Sequence, residues 1–219
     1  MQNYNPAIKA NSEIRREARD HLKGNWGMAL LLCLIYSIVG GIPGVIPYVG
    51  SVISLIISGP LMLGLVAVFL KLVRSEPFSI ENLFDGFKRF SPALVLILLQ
   101  ALFTFLWALL FIIPGIIASY RYIMGFYILS DNPQMTGKEA LEASKKMMYG
   151  YKGKLFLLQL SFIGWGLLCL LTLGIGFLWL IPYMQASMAC FYRNLLEASN
   201  DAFPTEKPGF MDEGPIEVN

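Results

Sequence analysis

Long runs of apolar residues fill most of this chain and predict helices that span a membrane. No Asp, Glu, Lys or Arg occurs in residues 24–70 or 155–192, and Arg121 is the one charged residue in 90–130. A membrane helix needs only about 20 residues. Each of the three blocks is therefore long enough to cross a bilayer twice.

Glycine and proline near the middle of each block predict where the chain turns back. The turn signals are residues 40–44 (GGIPG), Pro114-Gly115 and residues 174–176 (GIG). The pattern predicts an all-α membrane protein of about six transmembrane helices, arranged as three hairpins.

A short segment with one apolar face and basic flanks precedes each hairpin, as is typical of an amphipathic helix in the membrane interface. Thr136 and Glu139 have the spacing of a capping box, which predicts the start of the third such helix. The apolar faces consist of Ile14, Ala18 and Leu22 in the first unit, of Ile80, Leu83, Phe84 and Phe87 in the second, and of Ala140, Leu141, Ser144 and Met148 in the third.

The same order of segments recurs along one integral membrane domain, predicted at residues 1–196. Its units cover residues 12–73, 79–130 and 136–196. Whether they are true structural repeats stays open, because any protein of three hairpins shows this order. Residues 197–219 are acidic and predict a flexible cytoplasmic tail.

Composition and charge agree with a membrane location. Hydrophobic residues make up 56% of the 219 positions and charged residues 15%, against about 25% charged in ordinary soluble domains. If every block crosses twice, all Lys and Arg except Arg121 lie on one face. The positive-inside rule makes that face cytoplasmic. We therefore expect a protein of the bacterial cell membrane with both termini in the cytoplasm.

Arg121 needs its own explanation because it lies within an apolar block. A turn at Pro114-Gly115 puts it in the fourth helix, roughly 10 Å below the outer turn. Its guanidinium then either snorkels outward beside Tyr120 and Tyr122, or binds an anionic headgroup or substrate. The second hypothesis gives a polar site formed by Arg121, Tyr120, Tyr122, Tyr183 and Gln185.

Basic residues next to the spans are candidate contacts for anionic lipid headgroups, each worth about 1 kcal/mol near a charged surface. These candidates are Arg15, Arg19, Lys88, Arg89, Lys145 and Lys152. The expected partners are membrane lipids, together with a membrane protein at the same surface. No nucleic-acid partner is expected, and the oligomeric state stays open.

The sequence offers few groups for catalysis. His21 is the one histidine, the apolar blocks contain no Asp or Glu, and no nucleotide-binding, nucleophile-elbow or zinc-protease motif is present. Cys33, Cys169 and Cys190 lie in apolar segments without metal-ligand spacing, so buried free thiols are expected. We therefore expect no enzyme activity, no cofactor and no metal.

Three stretches of the sequence carry a family resemblance. They are RREARDHLKGNW at 15–26, IIPGIIASYRYIMGFYIL at 112–129, and residues 130–192, which begin SDNPQMTGKEALEASKKMMYGYKGKLF. In these stretches the chain resembles the bacterial integral membrane proteins grouped as domain-of-unknown-function family 975. The resemblance implies a multi-span cell-membrane protein, chiefly of Gram-positive bacteria, and no established activity. More distantly it extends to the membrane domain attached to some glycerophosphodiester phosphodiesterases.

Together these features predict a non-enzymatic membrane protein, acting as a scaffold or accessory factor that organises lipids or partner proteins. The alternative is a transporter, channel or lipid-handling protein with an anion or headgroup site near Arg121. A cavity that reaches Arg121 would favour the alternative.

Overall fold

Helices and short turns make up the described chain. This computed structural model describes residues 8–45, 49–110 and 112–202, which contain no β-strand. Two 3-10 helices, Ile42–Val45 and Ile80–Arg89, follow α2 and precede α4. In chain order the α-helices are α1 (Asn11–Leu22), α2 (Trp26–Gly41), α3 (Val49–Val73), α4 (Phe90–Leu110), α5 (Ile112–Tyr122), α6 (Gly125–Asp131), α7 (Gly137–Met147), α8 (Lys152–Leu171) and α9 (Phe177–Ala202).

Within the described residues, three helical segments are long and apolar enough to cross a membrane: Ile53–Val73, Ile80–Leu109 and Lys152–Leu171. α1 and α2 meet at 98° and add a fourth candidate if they form one broken span. The all-α class is therefore confirmed with three or four candidate spans, and the expected six are not. α5 has only 11 residues, so it is roughly 16 Å long, about half of a bilayer's hydrocarbon thickness.

The buried core lies at one end of the molecule, which we call the polar end. Here α6 and the 3-10 helix Ile80–Arg89 pack on α3, α1 packs on α9, and α7 packs on α4 and α6. Leu61, Leu65, Phe69 and Val73 recur every fourth residue of α3, and each is 1% exposed. Residues four apart share one face of a helix, so this face of α3 forms the centre of the polar end.

Two glycines allow the 3-10 helix to lie directly on α3. A Cβ atom on Gly64 would overlap the carbonyl oxygen of Leu83, and one on Gly86 would overlap the carbonyl oxygen of Pro60. The atoms in the way belong to the backbone, so no side-chain rotation makes room. Glycine is required at both positions by this close approach.

The other ends of the helices, which we call the hairpin ends, expose apolar side chains. In the most apolar 18-residue stretch of each candidate span, the buried share is 11% for Ile80–Leu109, 22% for Lys152–Leu171 and 56% for Ile53–Val73. Leu109 is 76% exposed and Leu171 is 81% exposed. Such continuous apolar exposure suits lipid contact rather than water.

The predicted turns are confirmed at one hairpin and shifted at another. α8 ends at Leu171 and α9 begins at Phe177, so the turn includes the predicted residues 174–176. Pro114 and Gly115 instead lie within α5, which begins at Ile112, whereas α4 ends at Leu110. A Cβ on Gly115 would come within 2.8 Å of the Cα of Ala108, which shows that α5 folds back closely on α4.

The apolar faces of α1 and α7 pack against protein. Ile14, Ala18 and Leu22 of α1 are all fully buried, as is Met148 just after α7. The expectation that these faces lie in the membrane interface overlooked the helices that cover them. In the second unit, Phe84 remains 42% exposed.

The end of the chain is helical further than expected. α9 continues through Glu197 to Ala202, and Glu197 lies 3.6 Å from the guanidinium of Arg193. The remainder of the predicted acidic tail, residues 203–219, lies outside the described residues.

Candidate functional site

A cleft of about 380 Å³ opens between α1, α2, α8 and α9. Its walls are almost entirely apolar, and they include three of the four tryptophans of the chain. A volume of this size lies within the usual range of ligand pockets. The lining residues are Arg19, Trp26, Trp165, Leu168, Cys169, Thr172, Gly176, Trp179, Leu180 and Tyr183.

One charged side chain, Arg19, lines this cleft. Its Nη1 donates a hydrogen bond to the hydroxyl of Tyr183 at 2.8 Å, and its guanidinium carbon lies 5.8 Å from the centre of the Tyr183 ring. This cation–π contact and the hydrogen bond hold the guanidinium at the wall of the cleft. A guanidinium has five N–H donors, so donors remain for an anion.

Tyr183 is itself fixed by the helices around it. Its hydroxyl donates to the carbonyl oxygen of Arg15 at 3.3 Å, and its ring meets the ring of Phe162 edge-on at 5.2 Å. Only 8% of Tyr183 is exposed. The contacts join α1, α8 and α9, so the position of Arg19 depends on all three helices.

The far wall of the cleft is formed by the turn between α8 and α9. Thr172 Oγ1 donates to the carbonyl of Cys169 at 2.8 Å and accepts from the N–H of Gly176 at 3.1 Å. A Cβ on Gly176 would lie 2.7 Å from the sulfur of Cys169. The small residue therefore brings the start of α9 against the end of α8.

Pro182 lies inside the last helix, one residue before Tyr183, and does not end it. α9 runs without interruption from Phe177 to Ala202 with Pro182 inside it. Proline removes one helical hydrogen bond, but the polar end holds the second half of α9 in place. Ser187 and Asn194 there donate to the carbonyls of Tyr183 and Cys190, each at 2.8 Å.

Arg121 lies in the last turn of α5, away from the α4–α5 turn. Its carbonyl oxygen accepts a hydrogen bond from Ser144 Oγ on α7 at 2.9 Å. Its side chain is half-buried, and its Nε is buried without a hydrogen-bond partner among the described residues. Arg121 and Lys152 are close enough to repel each other electrostatically. α5 begins at Ile112, two residues before Pro114, so Arg121 lies roughly 14 Å along this helix, slightly further from its start than the 10 Å expected.

The structure does not bring the five residues of the predicted polar site together. Tyr120 donates to Gln159 Oε1 on α8 at 2.6 Å, while the Tyr122 ring packs 6.0 Å from that of Phe103 on α4. Tyr183 belongs to the tryptophan-lined cleft. Gln185 is half-buried two residues later, about 200° further round α9.

The six candidate headgroup contacts differ in their surroundings. Lys145 is exposed, and Lys88 is exposed but paired with Asp85 at 2.7 Å. Arg15 and Lys152 are half-buried, and Arg15 Nε has no partner within the described chain. Arg19 belongs to the cleft.

Arg89 is taken up inside the protein. It donates to the carbonyl oxygens of Asn132 at 3.0 Å and Met135 at 3.4 Å, and also to that of Leu129. It satisfies carbonyls at the end of α6 and in the turn that leads to α7. Its guanidinium is therefore engaged by the backbone rather than free for a headgroup.

The tryptophan wall is the feature that sequence reasoning missed. Trp26, Trp165 and Trp179 lie on three different helices, α2, α8 and α9. Their positions along the sequence do not show that they meet, because that depends on how α2, α8 and α9 pack. The proximity of Tyr183 to Arg19, 164 residues apart, could not be seen for the same reason.

Residues 8–45, 49–110 and 112–202 contain no group of three or more His, Cys, Asp or Glu side chains that could hold a metal ion. The three cysteines are buried and free, as expected.

The fold and this cleft define a helical membrane protein with an apolar, arginine-ended pocket among its candidate spans. The family described as "Protein of unknown function (DUF975)" matches residues 1–118 and 109–199. The chain belongs to this family. No curated protein and no solved structure matches it.

Proposed function

We propose that the protein is a non-enzymatic, multi-span protein of the bacterial cell membrane that organises anionic lipids, and membrane proteins bound with them, at its polar end. The observation that carries this proposal is the excess of positive charge in the described chain. Residues 8–202 contain sixteen Lys and Arg against eleven Asp and Glu.

Several of the acidic side chains are already engaged by basic ones. Glu17 pairs with Arg193, and Asp131 pairs with Arg74. Asp20 lies 2.6 Å from Lys23, and this hydrogen bond lowers the pKa of the Asp20 carboxyl. Exposed cations such as Arg16, Lys138 and Lys145 then add to an uncompensated positive surface. Each basic residue near an anionic bilayer contributes about 1 kcal/mol.

The proposed topology places the polar end in the cytoplasm. The chain would cross the membrane six times as three hairpins, with α5 and α6 together forming the fourth crossing. A short helix precedes each hairpin on the cytoplasmic side. The support is the positive-inside rule and the contrast between the exposed hairpin ends and the buried polar end.

A transporter, channel or lipid-handling protein is the second candidate. It is favoured by the buried Nε of Arg121, which has no hydrogen-bond partner among the described residues, and by the electrostatic effect of Arg121 on Lys152, since two cations that influence each other suit an anionic ligand. Arg121 does not line the cleft between α1, α2, α8 and α9. We therefore rank this candidate below lipid organisation.

Lipid retention measures the proposed function directly. The protein is reconstituted in nanodiscs of equal phosphatidylglycerol and phosphatidylcholine, released, and weighed by native mass spectrometry. We expect phosphatidylglycerol to be enriched among the retained lipids. We also expect this enrichment to fall when Lys138 and Lys145 are changed to Gln, and to persist when they are changed to Arg. Equal retention of both lipids by the unaltered protein would refute the proposal.

A further inference from the structure

The tryptophan-lined cleft has the composition of a site for a lipid chain. α8, which carries Trp165, Leu168 and Cys169, is one of the candidate membrane spans. In a bilayer, the molecules next to this cleft are acyl chains. Trp165 and Trp179 are 54% and 52% exposed, so the cleft is open to its surroundings.

The cleft has a direction. Thr172 and Gly176 at the α8–α9 turn form one end, and Arg19 with Tyr183 forms the other. Between Trp165 and Thr172, α8 rises roughly 10 Å, a length that matches part of one acyl chain. A lipid whose acyl chain extends from the Arg19 end towards the turn would have its headgroup next to Arg19.

The positive charge of Arg19 at one end of the cleft favours a negatively charged headgroup. No Asp or Glu of the described part of the chain lines the cleft, and the neighbouring Asp20 is paired with Lys23 at 2.6 Å. Arginine binds phosphate with two parallel hydrogen bonds and keeps its charge at any physiological pH. Tyr183 fixes the guanidinium from one side, which reduces the entropy lost on binding an anion.

We propose that this cleft binds one anionic phospholipid, with its phosphate on Arg19 and one acyl chain along the wall formed by Trp26, Trp165 and Trp179. The inference deepens the proposed function and rests on it. It assigns one lipid a specific binding site, in addition to the general attraction of anionic lipids to the polar end. Arg19 and Tyr183 thus select a negatively charged headgroup, and the three tryptophans select a ligand with an acyl chain.

The test uses the tryptophans as reporters. The variant Trp107→Phe removes the one tryptophan outside the cleft, since Trp107 lies on α4. It is reconstituted in phosphatidylcholine vesicles that contain a minor fraction of phosphatidylglycerol with brominated chains, and quenching of fluorescence is measured. The comparison sample carries the bromine on phosphatidylcholine. We expect markedly stronger quenching by the brominated phosphatidylglycerol.

Arg19→Gln, made in the Trp107→Phe background, should weaken the apparent affinity for phosphatidylglycerol by about tenfold, as expected for loss of a charge-assisted hydrogen bond. Arg19→Lys should recover part of it. The matched control is Arg16→Gln, which removes an exposed charge from the same helix outside the cleft. This control should retain the preference, and thermal unfolding in detergent verifies that each variant is folded.

Three outcomes would overturn the inference. Equal quenching by the two brominated lipids would show that the cleft does not select an anion. Equal losses of apparent affinity for phosphatidylglycerol in Arg19→Gln and Arg16→Gln would assign the lipid preference to the basic surface as a whole. This result would refute a specific site in the cleft and would leave the proposed function standing. A dimer in native mass spectra, with quenching absent, would show that a second copy of the chain fills the cleft.

Discussion

Arg74 and Asp131 form a bidentate ion pair, with the two guanidinium nitrogens 2.8 and 2.6 Å from the two carboxylate oxygens. The pair joins the residue after α3 to the last residue of α6. The hydroxyl of Tyr192 on α9 donates to the same carboxylate at 3.1 Å. Three helices of the polar end therefore share one acidic group.

Asp131→Asn should lower the free energy of unfolding by about 2 kcal/mol, because it leaves a partly buried guanidinium without its charge partner. The control is Asp85→Asn, which breaks an exposed pair with Lys88 and should cost at most about 0.5 kcal/mol. Chemical or thermal unfolding in detergent measures both. Similar losses in the two variants would show that the Asp131 pair has no special role.

Gly64→Ala should be strongly destabilising, by at least about 3 kcal/mol, since its Cβ would overlap the backbone of Leu83. Gly164→Ala on α8 is the matched control, because a Cβ there meets no atom within 4 Å. Replacing glycine inside a helix should then be neutral or slightly stabilising. Yields of folded protein and unfolding curves measure the difference, and a stable Gly64→Ala variant would contradict the close packing of the 3-10 helix on α3.

Acid should weaken the contact between α1 and α9 through His21. Burial lowers the pKa of His21 from its ordinary value of 6.5, and its ring lies 3.4 Å from Arg193. Asp20 opposes this shift and Lys9 adds to it. His21 binds a proton more readily in the unfolded chain than in the folded protein. Neutral His21 therefore contributes to the free energy of unfolding above about pH 6.5, and this contribution is lost as the pH falls towards the pKa of His21 in the folded protein.

The melting temperature should therefore decrease as the pH is lowered from about 7.5 to 5.5, across the ordinary pKa of histidine. His21→Gln should flatten this decrease. An identical pH profile for the variant would assign the acid sensitivity to other groups.

The proposed topology predicts where an introduced thiol can be labelled. Lys145→Cys, on the exposed side of α7, should resist an impermeant maleimide in intact cells and react after permeabilisation. Leu173→Cys should react in intact cells, because Leu173 is 95% exposed in the turn between α8 and α9. The native cysteines are buried, so background labelling should be low. The reverse pattern would invert the topology.

The acidic end of the chain should compete with anionic lipid. Residues 203–219 contain four acidic residues and one lysine, so their charge opposes that of the polar end. Removing them should increase the ratio of phosphatidylglycerol to phosphatidylcholine retained in native mass spectra. A full-length variant with Gln or Asn in place of these acids should behave like the truncation. No change in either variant would exclude an electrostatic role for this segment.

Local sequence patterns predicted local structure correctly. Thr136 and Glu139 form the predicted capping box, with the Glu139 N–H donating to Thr136 Oγ1 at 3.3 Å and the Thr136 N–H donating to Glu139 Oε2 at 2.8 Å. The turn at residues 174–176 follows from glycine, and Gly174 has a φ of 87°. Such features depend on a few neighbouring residues, so the sequence contains the information.

Features that depend on packing between distant helices were not predictable. Periodicity identified the apolar face of α1, but it did not reveal that α9 covers this face. The hydrogen bond between Arg121 and Ser144 was not predictable because it depends on how α5 packs against α7. The candidate site changed for the same reason, since Arg19 and Tyr183 are neighbours only after α1 crosses α9.

The concentration of buried contacts at the polar end has a consequence for how the protein tolerates different membranes. With so little of α4 and α8 buried, the hairpin ends need only be soluble in hydrocarbon, whereas the packing of the polar end requires shape complementarity. Bilayers of unequal thickness can then be accommodated by tilting of the hairpins, at a modest cost per ångström of mismatch. The protein thus keeps the same packing at its polar end in cells that adjust the length of their fatty acids.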